Sequence, residues 1–196
     1  LLLQEHPPVI TLGRRAHPKH LLRTPEELAR EGIAVHAVGR GGDVTWHGPG
    51  QLVGYPIRRV GRKVRSHVDA ITQSLITLLG ELGITATFDN SRPGLWVQGQ
   101  KIASVGISVE DAISQHGFAL NVQGATGGFA TIVPCGLADV RVTEIAAWCP
   151  APPLADLACD FAYLLAENLG EPVQWYSPEE FCAARDPSLP SVRPTF

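Results

Sequence analysis

The sequence predicts an α+β fold, a mixed β-sheet flanked by helices, and three observations carry that expectation. Between Ile84 and Val122 the chain is a succession of β-rich runs, namely Ile84–Phe88, Leu95–Val97, Lys101–Val109 and Gly117–Val122. Two long amphipathic patterns, Val64 to Leu82 and Ala155 to Leu169, lie far apart on either side of it. Strands and helices do not alternate, so the layout is not a βαβ repeat, and the sheet is expected to carry its helices on one face.

Each element has its own local reason. Leu1–Leu3 and Val9–Leu12 read as short strands around the bend His6-Pro7-Pro8, and Gly13 to Lys19 as a basic loop. Thr24-Pro25-Glu26-Glu27 announces a helix, because Thr24 and Glu27 form a capping box around a proline at the first helical position, and Gly32 ends it. Ile33–Val38 follows as a strand and leads into a glycine-rich segment, from which Leu52–Ile57 emerges as another strand. Val64, Val68, Ile71, Leu75, Leu78, Leu79 and Leu82 recur every three or four residues and mark an amphipathic helix closed by Gly83. Turns are expected at Ser91-Arg92-Pro93-Gly94 and Gln98-Gly99-Gln100. Leu157, Phe161, Leu164 and Leu165 repeat the helical pattern, with Gly170 as its stop. Beyond Glu171 five prolines make the tail an irregular, wrapped or partly mobile extension.

At 196 residues the chain is expected to form one domain, residues 1–196. It contains no methionine and opens on Leu1-Leu2-Leu3, so the native N-terminal segment is expected to lie upstream. Hydrophobic residues at 44% and charged residues at 18% describe an ordinary globule, and no apolar run approaches the ~18 residues of a membrane span. No membrane is implied. A net charge of −3 argues against a nucleic-acid surface. The one basic group, Arg58, Arg59, Arg62, Lys63 and Arg65, reads as a solvated face or as a landing place for an acidic protein. Cys135, Cys149, Cys159 and Cys182 show neither disulfide-framework nor zinc spacing, which suits a reducing cytoplasm and no bound metal.

The most informative stretch runs from Arg40 to Gln51, Arg-Gly-Gly-Asp-Val-Thr-Trp-His-Gly-Pro-Gly-Gln. Four glycines let a backbone pass close to a bound molecule and point N–H groups at it, so this segment is a candidate ligand loop. Neither Gly-x-Gly-x-x-Gly nor the Walker pattern is present, and nucleotide cofactors are not suggested. Pro134-Cys135-Gly136 sets a cysteine in a turn, whereas Cys149 and Cys159 fit small buried hydrophobes. A free thiol is only a few per cent thiolate at pH 7, so a nucleophilic cysteine needs a cation or base beside it. Lys101, the charged residue that begins the apolar run Ile102 to Ile107, is the foremost partner, although an edge-strand gatekeeper would look the same. His47 and His116 are further candidate bases, and each fits a structural role equally well.

Taken together, these residues resemble the octanoyl-[acyl-carrier-protein]:protein octanoyltransferases of lipoate biosynthesis. The resemblance rests on Glu5-His6-Pro7-Pro8-Val9, Thr11-Leu12-Gly13, Arg40-Gly41-Gly42 through Gln51, Gly94 to Val97, Lys101 to Gly106, His116 to Val122, and Pro134-Cys135-Gly136. They occur in the family's order over nearly the whole chain. Trp46 stands where the family usually has tyrosine, Asp43 occupies a variable position, and the family's N-terminal helix and strand are not represented. The resemblance implies a fold similar to the biotin/lipoate protein ligase catalytic domain and an acyltransferase with no cofactor. Its donor is octanoyl-acyl carrier protein, and its acceptors are the apo lipoyl domains of 2-oxoacid dehydrogenases and the glycine cleavage H protein. By position, Cys135 corresponds to the acyl-thioester nucleophile and Lys101 to the lysine that lowers its pKa and serves as base, with His47 assisting. Arg40, Gly41, Gly42, Asp43, Val44, Thr45, Trp46 and His47 correspond to one stretch of the acyl pocket. Ser104, Val105, Gly106, Gly117, Phe118 and Ala119 correspond to the rest.

The chemistry is coherent without the family. Attack of a cysteine thiolate on a thioester creates an oxyanion that backbone N–H groups in glycine-rich turns can stabilise. Small residues at 104, 106, 117 and 119 leave a slot for an eight-carbon chain, where each buried methylene contributes about 0.8 kcal/mol. Three alternatives share some of these features. An ATP-dependent lipoate or biotin ligase needs no nucleophilic cysteine; a non-catalytic module binding lipoyl domains or acyl carriers needs neither Cys135 nor Lys101; a cysteine hydrolase would use water as acceptor.

Overall fold

The computed structural model describes residues 1–136, 140–177 and 180. Among these residues nine strands and three α-helices are arranged in two sheets and a helical layer. The strands are β1 (Leu2–Gln4), β2 (Val9–Leu12), β3 (Ala34–Ala37), β4 (Val44–His47), β5 (Gln51–Tyr55), β6 (Thr87–Phe88), β7 (Gly94–Val97), β8 (Gln100–Glu110) and β9 (Ile113–Asn121). The helices are α1 (Pro25–Arg30), α2 (Val64–Glu81) and α3 (Leu154–Leu169).

The larger sheet has six strands in the order β1-β5-β9-β8-β7-β6, and its pairs are antiparallel throughout. The smaller one has the order β3-β2-β4, with β2 and β3 parallel, so the mixed character expected of the fold resides there. Period-two alternation divides the larger sheet into two unlike faces. Leu52, Ala103 and Leu120 lie in one row across β5, β9 and β8, and turn to the helices. Val53, Ala119 and Ser104 form the next row and turn the other way, into a cleft.

Both long helices cover the first face. Ile71, Leu75, Leu78 and Leu79 of α2 and Leu157, Phe161 and Leu165 of α3 are buried there at helical spacing. Phe118 meets Phe161 with ring centroids 4.4 Å apart, which joins α3 to the middle of the sheet. Asn168 donates to Ser74 at 2.9 Å and joins the two helices. Helix α1 carries the expected capping box between Thr24 and Glu27 and sinks Leu28 into a second, smaller core with Ile10, Val44, Trp46 and Phe129.

Three local expectations are corrected. Within the glycine-rich segment residues 44–47 form a strand, β4, whose four side chains are all buried. The run at Ile84–Phe88 narrows to the two residues of β6. Strand β9 begins four residues earlier than Gly117, because Asp111 and Ala112 turn the chain with positive φ values of 49° and 65° where a hairpin usually has asparagine and glycine. The tail from Glu171 to Ser177 has no regular structure, and the rest of the expected extension, with Cys182, lies outside the described residues except for Glu180. No helix among the described residues is long and apolar enough to cross a membrane.

Candidate active site

The free face of the larger sheet and the smaller sheet enclose a cavity of about 1120 Å³. Its floor is Val53, Tyr55, Ser104, Gly106, Gly117 and Ala119, and its roof is β2, β3 and the segment from Arg40 to Thr45. Val64 and Val68 from the start of α2 and the loop from Asn90 to Pro93 complete the wall. Of the residues expected to line an acyl pocket, all but Trp46 border this cavity. Trp46 points to the opposite side of β4, where its ring packs on Phe129 in the smaller core. Its direction follows from residues 44–47 being a strand and not a loop, since a strand sends successive side chains to opposite faces. Val44, Val105 and Phe118 border the cavity, but their side chains also pack into the two cores.

Lys101 is buried, 3% exposed, at the inner wall of this cavity. Its Nζ lies 5.6 Å from the centre of the Trp96 ring, an arrangement that attracts a cation. The same ring carries the Arg92 guanidinium at 4.1 Å, and the Trp96 Nε1–H donates to the Arg92 carbonyl at 3.2 Å. Arg92 is in turn fixed by Asp89, whose carboxyl the hydrogen bonds of Ser91 and Arg92 hold well below the usual carboxylate range. Room for the lysine stem comes from Gly94, where a Cβ would lie 2.4 Å from both Lys101 Cε and the Ala103 carbonyl oxygen. Gly94→Ala is therefore expected to lower stability by about 1–3 kcal/mol and to displace Lys101. Thermal unfolding and transfer rate, measured together, check it; an unchanged rate would mean that Lys101 needs no such room.

Cys135 sits in a short 3₁₀ turn, Pro134–Gly136, and the chain then returns to the lysine. Val142 pairs in parallel with Lys101, the Lys101 N–H donating to the Arg141 carbonyl at 2.8 Å and the Thr143 N–H to the Lys101 carbonyl at 2.9 Å. The backbone on the far side of the cysteine turn is thus bonded to the residue that would serve it.

His47 is nearly as buried and is reached by a polar relay whose direction can be worked out. The Thr143 carbonyl only accepts, so the Asn121 amide donates to it at 3.0 Å and turns its Oδ1 to Gln51 Nε2 at 2.8 Å. Gln51 Oε1 then faces His47 Nδ1 at 2.7 Å, which places the proton on Nδ1 and leaves Nε2 as the acceptor facing the Thr11 hydroxyl at 3.4 Å. Thr11 Oγ1 also receives Arg40 Nε at 3.1 Å and Nη2 at 3.0 Å. Burial lowers the His47 pKa to about 4, against the Gln51 hydrogen bond and assisted by Arg40 and His6. The imidazole is neutral at pH 7.

That burial has a thermodynamic signature. The unfolded imidazole titrates near 6.5 and the folded one at about 4, so the unfolded state takes up the extra proton between them. The stability due to this residue is complete above pH 6.5 and is lost as pH falls through 6.5 towards 4. Unfolding free energy is expected to fall by about 2 kcal/mol between pH 7 and pH 5 on this account, and His47→Gln to remove that slope in urea titrations.

Two cavity residues, His6 and Tyr55, escaped the sequence reading, because His6-Pro7-Pro8 announced only a bend. His6 Nε2 lies 2.7 Å from the Tyr55 hydroxyl, and burial lowers the pKa of the first and raises that of the second. His116 also lines the cavity, with φ at 62° in the middle of β9, and burial followed by Arg40 and Arg14 lowers its pKa. Gly117, by contrast, is small for packing: a Cβ there would lie 2.1 Å from the Gly54 carbonyl oxygen of the neighbouring strand.

Comparison with known proteins agrees with this architecture. The lipoyl protein ligase A/B catalytic domain family matches residues 1–161. An octanoyltransferase of Chloroflexus aggregans is 45% identical over 165 residues, covering 81% of this chain and 75% of its own. One from Dictyoglomus thermophilum is 48% identical over 145 residues, covering 74% of this chain and 62% of its own. This chain therefore spans about three fifths to three quarters of these relatives. Among solved structures, a bi-partite lipoate protein ligase from Thermoplasma acidophilum superposes with a TM-score of 0.66 at 14% identity, over 92% of this chain and 75% of that one. A biotin protein ligase from Aquifex aeolicus, in complex with biotin and ATP, does so with a TM-score of 0.54 at 16% identity, over 83% and 70%. At such identities the likeness concerns the fold, which is the one expected. By the extent of the family match and the identity to its relatives, the chain belongs to the lipoyl protein ligase A/B catalytic domain family and, within it, to the octanoyltransferases.

Proposed function

We propose that this enzyme takes an octanoyl group from the thioester of acyl carrier protein onto Cys135 and passes it to a lysine of an apo lipoyl domain. The observation that carries the reading is Lys101: a buried lysine at the wall of a large cavity, backbone-bonded to the segment that follows the cysteine turn. A lysine is seldom buried without a task, and here the task is proton transfer beside a nucleophile.

In the first half-reaction the Cys135 thiolate attacks the thioester carbonyl. The tetrahedral intermediate collapses, the carrier's thiol leaves with the proton that the Lys101 ammonium gives up, and octanoyl-Cys135 and a neutral Lys101 remain. In the second, the acceptor amine attacks that thioester, the Cys135 sulfur is expelled, and an amide forms. The acceptor lysine, with pKa near 10.4, reaches the site mostly as ammonium and must give up a proton. His47 is poorly suited to hold it, since a base with pKa about 4 is protonated in about one molecule in a thousand at pH 7. Lys101 takes that part, and His47 offers its Nε2 lone pair as a hydrogen-bond acceptor that orients the attacking group. The small residues of the floor and Val64, Val68 and Phe88 give the acyl chain an apolar seat, where eight carbons would gain up to about 6 kcal/mol.

Lipoyl domains of 2-oxoacid dehydrogenases and the glycine cleavage H protein are the proposed acceptors, and the cytoplasm the proposed setting. The family membership and the unpaired Cys149 and Cys159 support them. The test is mass spectrometry of the protein after incubation with octanoyl-acyl carrier protein in the absence of ATP. An octanoyl increment on the Cys135 peptide that moves to an added apo lipoyl domain is expected. Transfer that requires ATP, or that leaves no adduct on Cys135, would overturn the reading in favour of a ligase.

A further inference from the structure

The elements that hold Cys135 meet at a pair of side chains, His20 and Asp43, to which the mechanism above gives no part. His20 Nδ1 lies 2.7 Å from Asp43 Oδ2, a close contact without hydrogen-bond geometry. The other oxygen of Asp43 accepts the Val44 N–H at 2.7 Å and the His17 N–H at 3.3 Å, which fixes the carboxylate between the glycine-rich segment and the basic loop. Gly136, the residue after the cysteine, lies directly on this pair. A Cβ at Gly136 would be 2.4 Å from Asp43 Oδ2 and 2.8 Å from His20 Cε1, and φ there is +70°, a conformation that favours glycine. The backbone of His20 grips the same turn from the other end: its carbonyl accepts the Val133 N–H at 2.8 Å, and Leu21 bridges Ile132.

We propose that His20 and Asp43 are positioning residues that clamp the Pro134–Gly136 turn and so hold the nucleophile's backbone against the cavity. Only Asp43 of the two borders the cavity, and neither is needed for the chemistry proposed above. The clamp rests on the reading of Cys135 as nucleophile for its catalytic meaning. A side chain held on a three-residue turn needs such support from outside, because misplacing an attacking atom by about 1 Å lowers rate by about a hundredfold.

Asp43→Asn preserves shape and the Val44 contact while removing the charge, and His20→Ala removes the other partner. Single-turnover acylation from octanoyl-acyl carrier protein is expected to slow about tenfold in each, with KM for the donor changed less than about twofold. The double variant should be no slower than either single one, and hydrogen exchange at 133–136 should rise in all three. Unaltered exchange at that turn would refute the clamp, as would independent, multiplicative rate losses. Should the parent protein carry octanoyl somewhere other than Cys135, the transferase mechanism fails, and exchange at 133–136 still decides whether the pair holds the turn.

Discussion

Cys135→Ser is expected to leave no octanoyl-enzyme and to lower transfer by at least about three orders of magnitude. Serine is compatible with such a turn, so folding is not at issue, but its hydroxyl is a far weaker nucleophile, and a neighbouring ammonium that draws a thiolate from a thiol of pKa about 8.5 does not draw an alkoxide from an alcohol. His47 is committed to Gln51 through Nδ1 and neutral by burial. The readouts are intact mass and single-turnover transfer. An adduct of undiminished yield on the serine variant, at any other residue, would remove Cys135 from the mechanism. Cys149→Ser and Cys159→Ser serve as comparisons and are expected to transfer normally, since neither borders the cavity.

Lys101→Met is the second large expectation. Methionine keeps the length and packing of the lysine stem against Trp96 and Gly94 while deleting the amine, so the cavity wall is preserved. Loss of a positioned general base lowers rate by about 10²–10⁴-fold, and both half-reactions should suffer. Alkylation of Cys135 by iodoacetamide at pH 7 is expected to slow in parallel, because the cation that favours the thiolate has gone. Normal alkylation with slow transfer would confine Lys101 to the second half-reaction. Normal transfer would make it a buried structural residue.

The fold was legible where its causes are local. The capping box at Thr24, the stripes of α2 and α3 and the glycine stops follow from backbone geometry and apolar spacing, and they stand where the residues place them. Strand β4 was hidden because glycines on both sides imitate a loop, while its burial on both faces comes from the sheet and the small core that enclose it. The direction of Trp46, whose ring packs into the smaller core, was hidden for the same reason. The hairpin at Asp111-Ala112 lacks usual turn residues, and its conformation is supported from outside by the Val60 N–H on the Ala112 carbonyl. At the site, Lys101 and the floor of small residues could be read from sequence. The Thr143–Asn121–Gln51–His47 relay could not, because it joins residues up to 96 positions apart through sheet register alone. Nor could His20, whose partner is chosen by the path of the chain.

The four small floor residues differ in what they leave open to evolution. Gly117 is pinned by the strand beside it, where a methyl would strike the Gly54 carbonyl oxygen and the Pro56 ring at 2.1 and 2.6 Å. At Gly106 the same methyl would meet Gly41 and Arg40 at 3.4 and 3.5 Å, an ordinary contact, and it would take volume from the cavity alone. Ser104 and Ala119 already carry side chains into that space. On the proposed reading, adaptation to shorter or longer acyl groups thus has three dials on this floor and one fixed point. The helix-side core lies behind the sheet, so on that reading a change at any of the three alters the volume of the cavity and leaves the packing under the helices in place.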